Sequence, residues 1–157
     1  MDISERAAGL DTGRLVFGGV FAVANRLQRV LDKVLPEVTA KQFWLMVVLS
    51  QFEEPPTLTQ LADAADTSHQ NVRQTLDKLV AKGFVQLVPD AADRRASRVR
   101  VTAEAARWGA DTADQADRFM AAMYAGIGPE ELDAFGTTLM RLHTNLATAG
   151  EVRHGTA

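Results

Sequence analysis

Five polar side chains that can hydrogen-bond to a planar, polar edge stand within six residues: His69, Gln70, Asn71, Arg73 and Gln74. Arginine can present a bidentate fork to guanine, and glutamine or asparagine can do the same for adenine, so this cluster has the chemistry to read base edges. Ser68 immediately precedes it and can cap a helix, whose free backbone amides and dipole would favour a phosphate at that end. Lys78, further along, suits a sugar-phosphate backbone contact. A second group, Asp93, Arg94, Arg95 and Arg98, lies downstream. Arginine is drawn to the enhanced negative potential of a narrow minor groove, and Asp93 can orient Arg95 through a bidentate pair.

Local elements must position these groups. The run from Ser68 to about Lys82 places Val72, Leu76, Leu79 and Val80 on one apolar face, so the polar cluster falls on the other, and Gly83 supplies the expected stop. Thr57 and Gln60 form a capping box for a short preceding helix with Leu58, Leu61, Ala62 and Ala65 inward. After Gly83 the apolar period changes to that of strands, with Phe84 to Val88 and Ser97 to Val101 joined by Pro89, Asp90, Ala91, Ala92 and Asp93, which supply turn chemistry. In the second strand Arg98 and Arg100 alternate with Val99 and Val101. Two short helices followed at once by a hairpin make a winged helix-turn-helix arrangement, in which the second helix enters the major groove.

The flanking stretches read as a platform. From Asp11 to Leu35, Val16, Val20, Val23, Leu27, Val30 and Val34 step by four and three, a heptad seam widened by Phe17, Phe21, Ala24 and Leu31. That is more apolar surface than one neighbour covers, so a second chain is expected. Thr39 and Gln42 form a capping box for a helix over KQFWLMVVLSQF, apolar nearly all round and expected to be central. Thr102 can cap an alanine-rich helix ending near Gly126. Gly128 and Pro129 open a last helix with a second seam through Leu132, Phe135, Leu139, Leu142 and Leu146.

The expected fold is therefore mainly α with a small β-hairpin wing, a winged helix-turn-helix flanked by N- and C-terminal dimerisation helices. One domain over residues 1–157 is expected, with 11–35 and 103–149 as the helical dimerisation region, 39–102 as the DNA-binding region and 150–157 as a disordered tail. Net charge is −3, yet residues 67–102 carry seven basic groups against three acidic ones, a local +4 that leaves −7 elsewhere. This asymmetry points to a polyanion-binding face on an acidic body. With no cysteine, disulfides and thiolate metal sites are excluded. No apolar run approaches the roughly 20 residues of a membrane span, and the first ten residues lack a signal-peptide pattern, so a cytoplasmic protein without a membrane partner is expected.

The stretch LTQLADAADTSHQNVRQTLDKLVAKGFV, followed by PDAADRRASRVRVT, resembles the MarR family of bacterial transcriptional regulators. Its most specific part is Asp93-Arg94-Arg95-Ala96 ahead of a strand ending Val101-Thr102. The resemblance implies a homodimeric, ligand-responsive repressor on a pseudo-palindromic operator, with the equivalents of Asp93 and Arg95 pairing in the wing and the arginine entering the minor groove. Two recognition helices would then span about 34–36 Å to reach successive major grooves. It also implies a small-molecule effector pocket, for which Phe17, Phe21, Phe43 and Trp44 are the candidates, although aromatics at helical spacing are more often plain core. Two positions depart from the pattern: Gln86 and Leu87 follow Val85 where a basic residue is common, and Asp66 stands in the turn where small residues are usual.

Two other classes are weighed against this. A winged-helix module that binds protein rather than DNA would use the acidic surface and apolar seams, but has no need to collect Arg94, Arg95, Arg98 and Arg100 on one hairpin. An enzyme would need a catalytic constellation. His69, His143 and His154 are isolated in sequence, and no nucleophile elbow, phosphate loop or metal-spaced cluster occurs, so no catalytic residue, cofactor or metal is assigned.

Overall fold

Asp11 accepts a hydrogen bond from the backbone N–H of Arg14 at 3.1 Å and so starts the first helix, α1, Thr12–Val34. Here and below, the computed structural model describes residues 9–35, 37–90 and 97–149. The expectations for the first eight residues, Pro36, the wing tip at 91–96 and the tail from Gly150 lie outside them. Helix α2, Ala40–Leu49, and helix α3, Leu58–Ala64, each open on a complete capping box, Thr39 with Gln42 and Thr57 with Gln60. Ser68 caps α4, His69–Ala81. Strands β1, Val85–Pro89, and β2, Ser97–Val101, pair antiparallel with Val85 opposite Val101 and Leu87 opposite Val99. Helices α5, Ala103–Met123, and α6, Pro129–Ala149, complete the order. The chain forms two compact units, Met1–Gln115 and Ala116–Ala157.

In the first unit, the core is built from α2 to α5 and the hairpin. Leu45, Leu61, Val72, Leu76, Leu79 and Val99 are all buried, and each such side chain contributes about 1.5–3 kcal/mol by leaving water. Phe84 stacks obliquely on Trp108 with ring centroids 5.4 Å apart, which ties the helix-to-strand junction to α5. Thr102 accepts from the Ala105 N–H at 3.2 Å and donates its hydroxyl to the Gly83 carbonyl at 2.6 Å, capping α5 and gripping the same junction. Among the described residues, no helix is long and apolar enough to cross a membrane.

Four local expectations are corrected. Strand β1 starts at Val85 rather than Phe84, because the Phe84 N–H closes α4 on the Leu79 carbonyl at 3.0 Å and is not free for the ladder. Helix α2 stops at Leu49 rather than running to Phe52, the next N–H groups taking tighter three-residue bonds from Gln51 to Val48 and from Phe52 to Leu49. It is not covered all round either, since Trp44 is 55% exposed. Val80 is exposed rather than buried, lying at the rim of the face whose centre is Leu76.

The ends of α4 and α3 are closed by the same device. At Gly83, with φ +74°, the N–H bonds back to Val80 at 2.9 Å while Phe84 bonds to Leu79, a Schellman motif. At Asp66, with φ +48°, the N–H bonds to Asp63 at 3.2 Å and Thr67 bonds to Ala62 at 3.1 Å. Asp66 thus occupies the left-handed position glycine usually takes, which accounts for the residue that departs from the family pattern. A left-handed conformation costs an ordinary side chain about 1–2 kcal/mol, least for short polar ones. Asp66→Val should therefore lower unfolding free energy by about 1–2 kcal/mol more than Asp66→Gly in a urea melt. Equal losses in both variants would refute the turn's role.

Candidate nucleic-acid interface

Helix α4 is pinned from behind and open in front. Val72, Leu76 and Leu79 have at most 1% exposure, whereas His69, Gln70, Asn71, Arg73, Gln74 and Lys78 are all exposed. The structure brings these six, with Ser68, onto one side of one helix. Ser68 accepts from the Asn71 N–H at 3.2 Å, and Asn71 offers its side-chain amide to the Thr67 hydroxyl at 3.4 Å. Arg73 pairs with Asp77 at 3.4 Å, both side chains well exposed. Such exposed pairs contribute only ~0–1 kcal/mol, so Arg73 can exchange Asp77 for a base at little cost.

The hairpin is attached to the start of α3 rather than standing alone. The Val99 N–H donates to the Pro56 carbonyl at 2.8 Å, and Arg98 forms a bridge with Thr57. Arg98, expected among the DNA contacts, has its Nε on Asp90 Oδ2 at 2.5 Å and its Nη1 on the Pro55 carbonyl at 2.9 Å. Arg100 on the same strand is exposed. Asp93, Arg94 and Arg95 belong to the segment outside the described residues.

Lys82, a candidate backbone contact by its charge, is exposed as a residue but has its ammonium tied to the protein. Its ammonium donates to the Gln42 side-chain oxygen at 3.0 Å and to the Glu37 carbonyl. Gln42 is 3% exposed, and the same oxygen accepts from the Thr39 N–H at 3.1 Å, so one buried amide closes the cap of α2 and receives the end of α4. Sequence spacing identified the capping box, but a contact across 40 residues leaves no periodic signal.

The four aromatic candidates do not converge. Phe17 and Phe21 meet edge-on, centroids 5.2 Å apart, on an exposed face of α1. Phe43 is half-buried against the core. Trp44 alone lines an open cavity of about 310 Å³ with Val47, Val48, Gln51, Phe52 and Ala64. Among the described residues, no group of three or more His, Asp or Glu is placed to hold a metal ion.

A capped short helix, a turn, a pinned helix with a polar front and an attached hairpin define a winged helix-turn-helix protein. Residues 37–96 of the chain match the model of the MarR family. The fold is shared with the transcriptional regulator PA3341, at 26% identity over 84% of this chain and 98% of that one, with a TM-score of 0.68. It is also shared with BpsR of Bordetella bronchiseptica, a protein whose DNA binding is regulated by 6-hydroxynicotinic acid, at 21% identity over 85% of this chain and 93% of that one, TM-score 0.71. The organohalide-sensing regulator RdhR-CbdbA1625, in its 2,4-dichlorophenol-bound form, is similar at 16% identity over 90% of this chain and 85% of that one, TM-score 0.79.

The tied lysine gives a measurable expectation. Lys82→Ala should cost about 0.5–1.5 kcal/mol through loss of its hydrogen bonds to Gln42 and Glu37, whereas a free surface lysine would change stability by less than about 0.5. A urea melt with an unchanged slope distinguishes the two.

Proposed function

We propose that this chain is a sequence-specific, double-stranded DNA-binding transcriptional regulator that works in the cytoplasm as a homodimeric, ligand-responsive repressor. The observation that carries this reading is α4: a helix with a fully buried back presents Gln70, Asn71, Arg73 and Gln74, the residue types that read base edges, along its exposed front. Ser68 and the helix N-terminus supply a phosphate seat, and Lys78 a backbone contact. By their sequence, Asp93, Arg94 and Arg95 serve the minor groove in this reading.

Dimerisation is supported by uncovered apolar rows. Neither α1 nor α6 has a buried residue, and Val16, Phe17, Val20 and Phe21 on the first, with Phe135, Leu139, Leu142 and Leu146 on the second, are exposed in the single chain. Contiguous apolar surface of this kind marks a protein-protein contact.

Site selection on random duplex DNA tests the reading. It should return a palindrome with half-sites about one helical turn apart, and sequences without symmetry would oppose it. Arg73→Ala should then cost about 1–3 kcal/mol on the selected site and relax preference at one base pair per half-site. Unchanged affinity and preference would remove α4 from the major groove.

An aromatic effector completes the proposal. Two of the three regulators cited above, BpsR and RdhR-CbdbA1625, are associated with small aromatic compounds, and the cavity beside Trp44 falls at the lower end of ligand-pocket volumes. With 2,4-dichlorophenol as probe, affinity for the selected DNA should fall, and Trp44→Ala should abolish the response. A response that survives in Trp44→Ala would place the effector elsewhere.

A further inference from the structure

Arg98 is the one cation of the hairpin's described residues whose guanidinium is already engaged on two sides. Its side chain is 32% exposed and that of Asp90 only 6% exposed. The planar fork meets a carboxylate through Nε and a carbonyl through Nη1, an arrangement that fits guanidinium and not an ammonium group. Swinging Arg98 out to a phosphate would break its pair with this nearly buried carboxylate and its bond to the Pro55 carbonyl. The backbone beside it is also engaged, through the Val99 N–H to Pro56 and the bridge to Thr57. Thr57 is the N-cap of α3, the first helix of the helix-turn-helix.

We infer that Arg98 is a positioning residue: with Asp90 and the Pro55 carbonyl it fastens the base of the hairpin to the entrance of α3, and so sets where the wing meets DNA. The inference rests on the DNA-binding reading and assigns Arg98 a different part in it from a phosphate contact. Asp90 follows the last residue of β1 and Arg98 is the second residue of β2, close before and close after the segment 91–96 that carries Asp93, Arg94 and Arg95. The phosphate-facing cation of β2 is then Arg100, which is exposed and stands opposite Gln86, where this chain has no basic residue.

Arg98→Lys, Asp90→Asn and Arg100→Lys separate an anchor from a phosphate contact. Lysine keeps a phosphate contact as a point charge, but cannot reproduce the fork. In the absence of DNA, Arg98→Lys and Asp90→Asn should speed amide exchange at Val99, with Arg100→Lys unchanged. On the selected DNA the first two should bind roughly tenfold more weakly, the scale of one well-made arginine contact, while Arg100→Lys stays near the parent. The same Arg98→Lys protein should keep its preference among bases read by α4. Wild-type affinity in Arg98→Lys, or tighter binding in Asp90→Asn through loss of a negative charge, would overturn the inference and make Arg98 a direct contact. If the parent itself shows no preference for any DNA, the regulator reading fails, whereas unchanged exchange at Val99 in both anchor variants overturns the anchor alone. Should Arg98→Lys fold poorly, Arg98→Gln is read by the same exchange measurement.

Discussion

The row Val72, Leu76 and Leu79 is the constraint on which the remaining structure depends. These three side chains face the core formed with Leu45, Leu61 and Val99, and their burial decides which way every other residue of α4 points. Because a helix repeats every 3.6 residues, burying that stripe turns residues 69–71, 73 and 74 to the outside with no further instruction. The two ends are fixed independently, by Ser68 at the start and by the Gly83 turn at the finish. A helix held along its back and at both ends can place side chains to the precision that base reading needs.

The cations of this region divide by what their neighbours require. Arg73 lies in an exposed, weak pair and remains available. Lys82 and Arg98 are hydrogen-bonded to buried or nearly buried acceptors, Gln42 and Asp90. A local charge of +4 over 67–102 therefore overstates the charge offered to a partner. Part of it holds the unit together, joining the end of α4 to the start of α2 and the hairpin to the start of α3. The buried ends of these contacts have their hydrogen bonds, and no buried side-chain nitrogen or oxygen among the described residues lacks a partner.

Exposed apolar residues on α1 and α6 belong to a different energy account. Phe17 is 70% exposed and Leu146 71% exposed, values a stable soluble chain rarely keeps in rows. Each helix repeats its apolar residues in steps of three and four, the spacing that fits another helix. The heptad pattern was legible as pattern, and the absence of any buried residue within either helix accords with its reading as surface for a second chain.

By itself the sequence determined what is local. Caps at Asp11, Thr39, Thr57 and Ser68, the stop at Gly83, the change of period into the hairpin and the polar front of α4 all depend on residues within one or two turns of each other, so spacing reveals them. Tertiary structure decided the rest. That Lys82 points to Gln42, that Arg98 binds Asp90 and Pro55, and that Trp44 lies open beside Phe52 and Ala64 are contacts mostly between distant segments. A long, charged side chain has the same local propensity whether it ends in solvent, on a phosphate or on a buried oxygen. Which of these it meets is set by the desolvated acceptor the folded chain brings within reach, and composition and period carry no record of that.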